Sequence, residues 1–275
     1  MTATTADAKP LKKRLSPRKR AQRFRIVQYV ALGVIVLLAV LFADGRQLIS
    51  VFFRPDIIAK TIGPGLARAM LNTLIYTIGA FIVGLLLGTV LALMRLSTVS
   101  INRWLSTIYI EFFRGVPAII VFMAFGLMPL AFPGMSIPLD PYGTVWIALG
   151  LVAGAYMAET IRAGIQAVPK GQLEAARSMG MPVGMATQKI VLPQAFRIVL
   201  PPLTNELILL TKDSSLVYVL GLTGEAYELT KYGRELATTY ANLTPLVIAG
   251  LCYLLITLPL TFVVRRMEAN ARKAR

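Results

Sequence analysis

The chain alternates long apolar runs, three of which carry a few charges, with short polar stretches. Residues 26–43 hold no charge and would make about 27 Å of helix at about 1.5 Å per residue, enough to cross a bilayer. Similar runs cover residues 70–94, 104–130, 144–165, 195–220 and 243–264. Together they predict six membrane-spanning helices. In the second run Gly79, Gly84 and Gly88 recur at near-helical spacing and predict a face that another helix approaches closely. Gly115 and Pro117 weaken the third run locally, and Pro201 and Pro202 stand near the start of the fifth. Residues 48–53 read as a short interfacial patch and residues 131–143 as a proline-rich loop without Lys or Arg. In the 223–242 segment, apolar positions at near-helical spacing (Leu222, Ala226, Leu229, Gly233, Leu236, Tyr240) predict an interfacial helix.

The polar insert between the fourth and fifth runs reads EAARSMGMPVGMATQKIVLP from Glu174 to Pro193. Residues 172–179 are mostly good helix formers, Gly180 supplies a stop, and Pro182 sits where a second helix can start. The second piece, residues 183–191, ends where Leu192 and Pro193 open the next apolar run. The expected shape is helix, glycine bend, helix.

Of the 275 residues, 56% are hydrophobic and 15% charged, too apolar for a soluble domain, so the chain is a polytopic membrane protein. The net charge of +16 would suggest nucleic acid in a soluble chain. Here the cations cluster at the ends of apolar runs, and nine of them lie between Lys9 and Arg25 in a tail read as disordered, a positive-inside anchor touching anionic lipid. No nucleic-acid partner is expected. A cleaved signal peptide is disfavoured because the first run is longer than the usual core of about 7–15 residues. There is no histidine and one cysteine, Cys252, which leaves no material for a His/Cys metal site, a Ser-His-Asp triad or a disulfide framework. No phosphate-binding G-x-x-x-x-G-K-[ST] loop is present, so any ATP driving this chain must be bound by another polypeptide. With six spans, 21 of the 29 cations fall on the side that holds both termini and the 174–193 insert, six fall on the other, and Arg114 and Lys212 lie within the membrane. Both termini and the insert are therefore expected in the cytoplasm.

Charges inside the runs are costly and mark function or pairing. Glu111 and Arg114 stand at i and i+3, as do Glu159 and Arg162, and each couple can pair. Glu206 and Asp213 are seven apart and share one stripe of the fifth helix. Carboxylates there suit the α-ammonium of an amino acid, while Asn205, Lys212, Ser214 and the loosened backbone at Gly115 suit its polar or anionic groups. The competing reading pairs Lys212 and Asp213 with Glu111 and Arg114 for purely structural ends. A second alternative makes Glu111, Glu159, Glu206 or Asp213 relay groups of a self-contained proton- or sodium-coupled secondary transporter, but the internal repeat usual in such folds is missing.

At Glu174, Ala175, Ala176, Gly180, Ile190, Leu192 and Pro193 the insert resembles the cytoplasmic loop of the permease subunits of ATP-binding-cassette (ABC) importers. The segments TLIYT near Thr73, FRGVP near Gly115, AYMAETIRAG and NELILLTKDSSL look like the polar amino-acid branch of that family, with the glutamate/glutamine subgroup favoured. The resemblance implies an all-α membrane protein with a type I importer (MetI-like) transmembrane domain of five core helices over residues 65–268. A basic cytoplasmic tail (1–25) and an additional helix (26–43) precede it, and residues 170–193 form its ATPase-coupling loop. It further implies a non-catalytic subunit of a bacterial cytoplasmic membrane, with no cofactor of its own because ATP and Mg²⁺ sit on cytosolic ATPase subunits. The implied partners are those ATPases, a second copy or paralogue of the permease, an extracytoplasmic solute-binding protein, the amino-acid substrate and the lipid bilayer.

Overall fold

The structure, a computed structural model, describes residues 17–42, 44–135 and 137–273, and all regular structure among them is helical. Lys9, Lys12, Lys13 and Arg14 of the basic tail, Ala43 at the end of the first run, and Arg275 lie outside the described residues.

The chain divides into two units at Ser50–Val51. In the first, α1 (Pro17–Phe42) begins within the basic tail rather than at residue 26. The part of the tail from Pro17 onward is thus helical, not disordered as expected, because proline suits a first helical position and Arg, Lys, Ala and Gln are good helix formers. Arg20–Phe42 is long and apolar enough to cross a membrane. Next comes α2 (Gly45–Phe52), whose start Asp44 caps by accepting the amides of Arg46 at 3.0 Å and Gln47 at 3.2 Å.

The second unit contains α3 (Pro55–Thr61), α4 (Pro64–Leu96), α5 (Ser100–Gly115), α6 (Ala118–Ala131) and α7 (Tyr142–Gln166). It continues with α8 (Lys170–Ser178), α9 (Val183–Ala186), a π turn (Thr187–Val191), α10 (Leu192–Asp213), a 3-10 turn (Ser214–Leu220), α11 (Leu229–Thr239) and α12 (Thr244–Lys273). Its centre is the pair α4 and α7. A Cβ at Gly84 would sit 3.0 Å from that of Ala153, and one at Gly88 would meet the Gly154 carbonyl at 2.9 Å, so the predicted small-residue face is where α7 docks. The pairs run in register: Asn72 with Tyr142, Ile75 with Trp146, Val83 with Gly150, Leu87 with Gly154, Arg95 with Glu159. Residue numbers rise together on both helices, which are therefore parallel. Against α7, α10 is antiparallel, since Gly164 meets Val199 while Leu149 and Val152 share a cavity with Asp213. Tyr76, Phe122, Leu149, Met157, Val199 and Leu210 belong to the resulting core. On the outward face of α4, Leu71, Ile78, Ile82, Leu86 and Leu93 stay exposed at helical spacing, as a lipid-facing surface requires. The buried hydroxyls of Thr73 and Thr77 donate to the carbonyls four residues earlier, at 2.9 and 2.7 Å.

Two expected spans differ in form. Residues 104–130 are not one helix, because α5 and α6 meet at a 98° bend. Pro117 lacks an amide hydrogen and pushes Val116 to an extended backbone (φ −92°, ψ 131°), and Gly115 adds no helical preference. The fifth span starts at Leu192 and is continuous with the π turn before it. It ends as α-helix at Asp213, and the remaining residues to Leu220 tighten into the 3-10 turn. Among the described residues four helices are long and apolar enough to cross a membrane on their own, with a fifth if the bent pair is one span. The six expected spans are thus not all met, because α10, interrupted by its charged and polar residues, falls short of that standard.

Candidate functional site

The α5–α6 bend, the middle of α7 and the second half of α10 enclose a cavity of about 530 Å³. Arg114, Gly115 and Pro117 line it from the bend, Val152 and Tyr156 from α7, and Glu206 and Asp213 from α10. Glu206 and Asp213 lie on one face two turns apart, about 10 Å along the axis. Neither carboxylate forms an ion pair or accepts a hydrogen bond among the described residues. Opposite them the Arg114 guanidinium lies 5.7 Å from the Tyr156 ring centroid, in cation–π range. The bend is what exposes this wall, because an unbroken helix would carry its own backbone bonds past Gly115.

Of the six residues proposed for the pathway, the structure brings Glu206, Asp213 and Gly115 to the cavity. Asn205 and Lys212 are exposed on other faces of α10, and Ser214 is buried, its hydroxyl donating to the Thr211 carbonyl at 2.7 Å. The expected Glu159–Arg162 pair forms, at 2.6 Å. The Glu111–Arg114 pair does not. Arg95, at the end of α4, reaches Glu111 at 4.0 Å and Glu159 at 3.2 Å, and Arg114 turns to Tyr156. Nor do Lys212 and Asp213 pair with Arg114 or Glu111. Tyr156 and Arg95 were not legible as site residues. The only sequence signal was for Tyr156, which is one turn from Glu159; Arg95 had none.

Residues 170–193 fold as α8, a bend at Gly180, then α9 and the π turn running without interruption into α10. Gly180 has φ +84°; its amide donates to the Arg177 carbonyl at 3.0 Å and that of Met181 to the Ala176 carbonyl at 3.1 Å, the paired bonds of a Schellman ending. Leu173 packs on Val168, Val191 and Ala195, which seats the loop on the helix bases. Glu174 and Ala175 are exposed, whereas Ala176 is buried and so does not share their surface. Ile190 is half-buried, and Leu192 and Pro193 are exposed at the start of α10. Around the bend, Met179, Val183 and Met185 leave large apolar side chains uncovered.

Residues 84–273 match the family described as binding-protein-dependent transport system inner membrane component. The chain belongs to this family. It is 39% identical over 211 residues to the arginine transport system permease protein ArtQ of Bacillus subtilis (strain 168), covering 76% of this chain and 93% of that protein. It is 34% identical over 210 residues to the glutamate/aspartate import permease protein GltK of Escherichia coli O157:H7, covering 74% and 92%. Among solved structures, the crystal structure of an amino acid ABC transporter with histidines superposes with a TM-score of 0.67 at 36% identity, over 75% of this chain and 94% of that one. An inward-facing MetNI methionine ABC transporter, at 22% identity and a TM-score of 0.56, shares the fold, which is the MetI-like arrangement expected from the sequence. Membership makes this a multi-pass membrane permease subunit of an ABC importer, and the self-contained secondary transporter is not kept.

Proposed function

We propose that this chain forms the pathway by which a polar amino acid crosses the cytoplasmic membrane of a bacterium, and that the cavity between the α5–α6 bend, α7 and α10 holds it in transit. The observation that carries this reading is the charge layout of that cavity: one guanidinium, Arg114, facing two carboxylates with no partner of their own. An α-amino acid brings the complement, a carboxylate for Arg114 and an ammonium for Glu206 or Asp213. One acceptor then remains, which favours a neutral polar side chain, as in glutamine, or a cationic one over a second carboxylate. The names of the similar proteins, which include arginine, glutamine and glutamate/aspartate permeases, support the amino-acid class.

Transport is driven from outside the chain. Cytosolic ATPase subunits holding ATP and Mg²⁺ dock on residues 170–193, where Glu174 and Ala175 lie exposed beside the uncovered Met179, Val183 and Met185. Exposed methionines on a loop outside the membrane suit an adaptable protein contact. A second permease copy or a paralogue completes the pathway, and an extracytoplasmic binding protein delivers the amino acid. Both termini and the basic tail face the cytoplasm, where the cation count places them.

Glu206→Gln tests the assignment, since it keeps size and most hydrogen bonding while removing charge. In proteoliposomes carrying the full transporter, uptake of glutamine or arginine and solute-stimulated ATP hydrolysis should fall about tenfold or more, the scale of one lost charge-assisted hydrogen bond. Assembly and basal hydrolysis should persist. Undiminished uptake would remove the cavity from the pathway.

A further inference from the structure

The pairing of Arg95 serves no part of the reading above. A carboxylate one turn away is the natural partner for a helical arginine, and Glu111 stands in that position to Arg114. In the structure Arg95 takes it, with Nη1 4.0 Å from Glu111 Oε1 and 3.2 Å from Glu159 Oε1. That nitrogen is buried and donates no hydrogen bond, and the two carboxylates are the anions within 4.0 Å of it among the described residues. The two depend on it differently. Glu159 has a second partner in Arg162 at 2.6 Å, whereas Glu111 has no other cation within 4.0 Å among the described residues. Arg114, left alone by Glu111, lies over Tyr156 in the wall of the cavity that holds Glu206 and Asp213.

We propose that Arg95 is a positioning residue that draws Glu111 away from Arg114 and so keeps the Arg114 guanidinium open to the α-carboxylate of an amino acid. The proposal rests on the reading of this cavity as the amino-acid site. A guanidinium already engaged by a protein carboxylate has its fork of donors filled and its charge neutralised, and is a poor receptor for a second carboxylate. Glu111 is on the same helical face as Arg114 and its side chain is 65% exposed, which leaves it room to turn toward Arg114 once Arg95 is gone. Three elements meet in this device: the last turn of α4 supplies the cation, α5 carries both the competing carboxylate and the receptor, and α7 supplies Glu159 as the second holdfast.

The test is equilibrium binding of radiolabelled L-glutamine and L-arginine, as separate probes, to the permease–ATPase complex in lipid nanodiscs. Arg95→Met should weaken binding about tenfold, within the range of coupling between groups of one charge network. Adding Glu111→Gln should restore affinity to within about threefold of the parent, because the competitor is then neutral. A merely structural Arg95 would lower thermal stability together with affinity, so the unfolding midpoint is read on the same samples and should change little while affinity falls and returns. Unchanged binding in Arg95→Met, or weakened binding that Glu111→Gln leaves unrepaired, overturns the proposal. If Arg95→Met does not assemble, Arg95→Gln with and without Glu111→Gln makes the same comparison. Arg114→Gln separates the two levels of inference. If it leaves binding intact, the cavity reading and the role of Arg95 fall together, whereas if it abolishes binding while Arg95→Met does nothing, only the role of Arg95 falls.

Discussion

Gly180 holds a backbone angle that few other residues accept. At φ +84° a side chain costs roughly 1–2 kcal/mol from the backbone alone, and because no atom lies within 4 Å of the added Cβ, that cost is conformational rather than steric. The two Schellman bonds from Gly180 and Met181 fix the angle between α8 and α9, and hence the surface that Glu174, Met179 and Val183 present together. Gly180→Leu should therefore leave membrane insertion intact while substrate-stimulated ATP hydrolysis disappears. Gly180→Asn should retain most of it, because asparagine tolerates the left-handed region. The measurement is stimulated against basal hydrolysis in the reconstituted transporter, and normal stimulation in the leucine variant would remove the bend from coupling.

At the scale of elements, the segment between α10 and α11 is held by side chains of α4, and its capping residue is a buried acid. Asn72 donates to the carbonyls of Glu225 at 2.8 Å and Tyr227 at 2.9 Å, Tyr76 donates to that of Ala226 at 2.9 Å, and Thr73 accepts the Leu229 amide at 3.2 Å. Glu228, fully buried between the spans, caps α11 by accepting the amides of Thr230 and Lys231, and also accepts the Tyr253 hydroxyl at 2.9 Å. Burial pushes its carboxyl above the ordinary value of 4.5, and those hydrogen bonds offset only part of the rise. A raised acid binds its proton more tightly folded than unfolded, so its contribution is fully present below 4.5 and is lost as pH climbs through the higher folded value. Glu228→Gln removes that titration. Thermal unfolding of the detergent-solubilised protein across this window should show the parent losing stability relative to the variant as pH rises, and parallel curves would refute the assignment. The sequence could not announce this acid, because nothing in the 223–242 pattern says that Glu228 points inward. The same holds for Arg95, which reads as an ordinary loop cation until α4, α5 and α7 are packed. What was legible was local: the Gly79–Gly84–Gly88 face, the glycine bend at Gly180, the weak point at Gly115 and Pro117, and the common stripe of Glu206 and Asp213. The size of a bend, and which charge answers which, depend on helix packing that periodicity does not encode.

For the whole molecule, the parallel course of α4 and α7 decides what the bent pair between them does. Two parallel helices start on the same side of the membrane, and α4 ends on the side opposite to the one where α7 begins. The chain from Leu96 to Tyr142 must therefore return across the bilayer, and only α5 and α6 are available to do so. A 98° bend would equally suit a re-entrant loop that dips in and comes back, but α7 would then run antiparallel to α4, against the pairing from Asn72–Tyr142 to Arg95–Glu159. The bent pair is a crossing with a break at membrane depth, tolerated because the freed backbone at Gly115–Pro117 faces a cavity and not lipid. With α10 antiparallel to α7, the 170–193 loop falls on the same side as Arg103, and Asp140 falls on the other with Tyr240. The absolute sense is an expectation from the sequence, in which 21 of the 29 cations would fall on the side of the loop if all six runs span. Reporter fusions after Arg103, Gly184 and Arg275 should accordingly read cytoplasmic, and those at Asp140 and Tyr240 extracytoplasmic. The fusion at Asp140 is the discriminating one. A cytoplasmic signal there, with Arg103 also cytoplasmic, would make α5 and α6 re-entrant and would break the geometry that places Arg114 opposite Glu206.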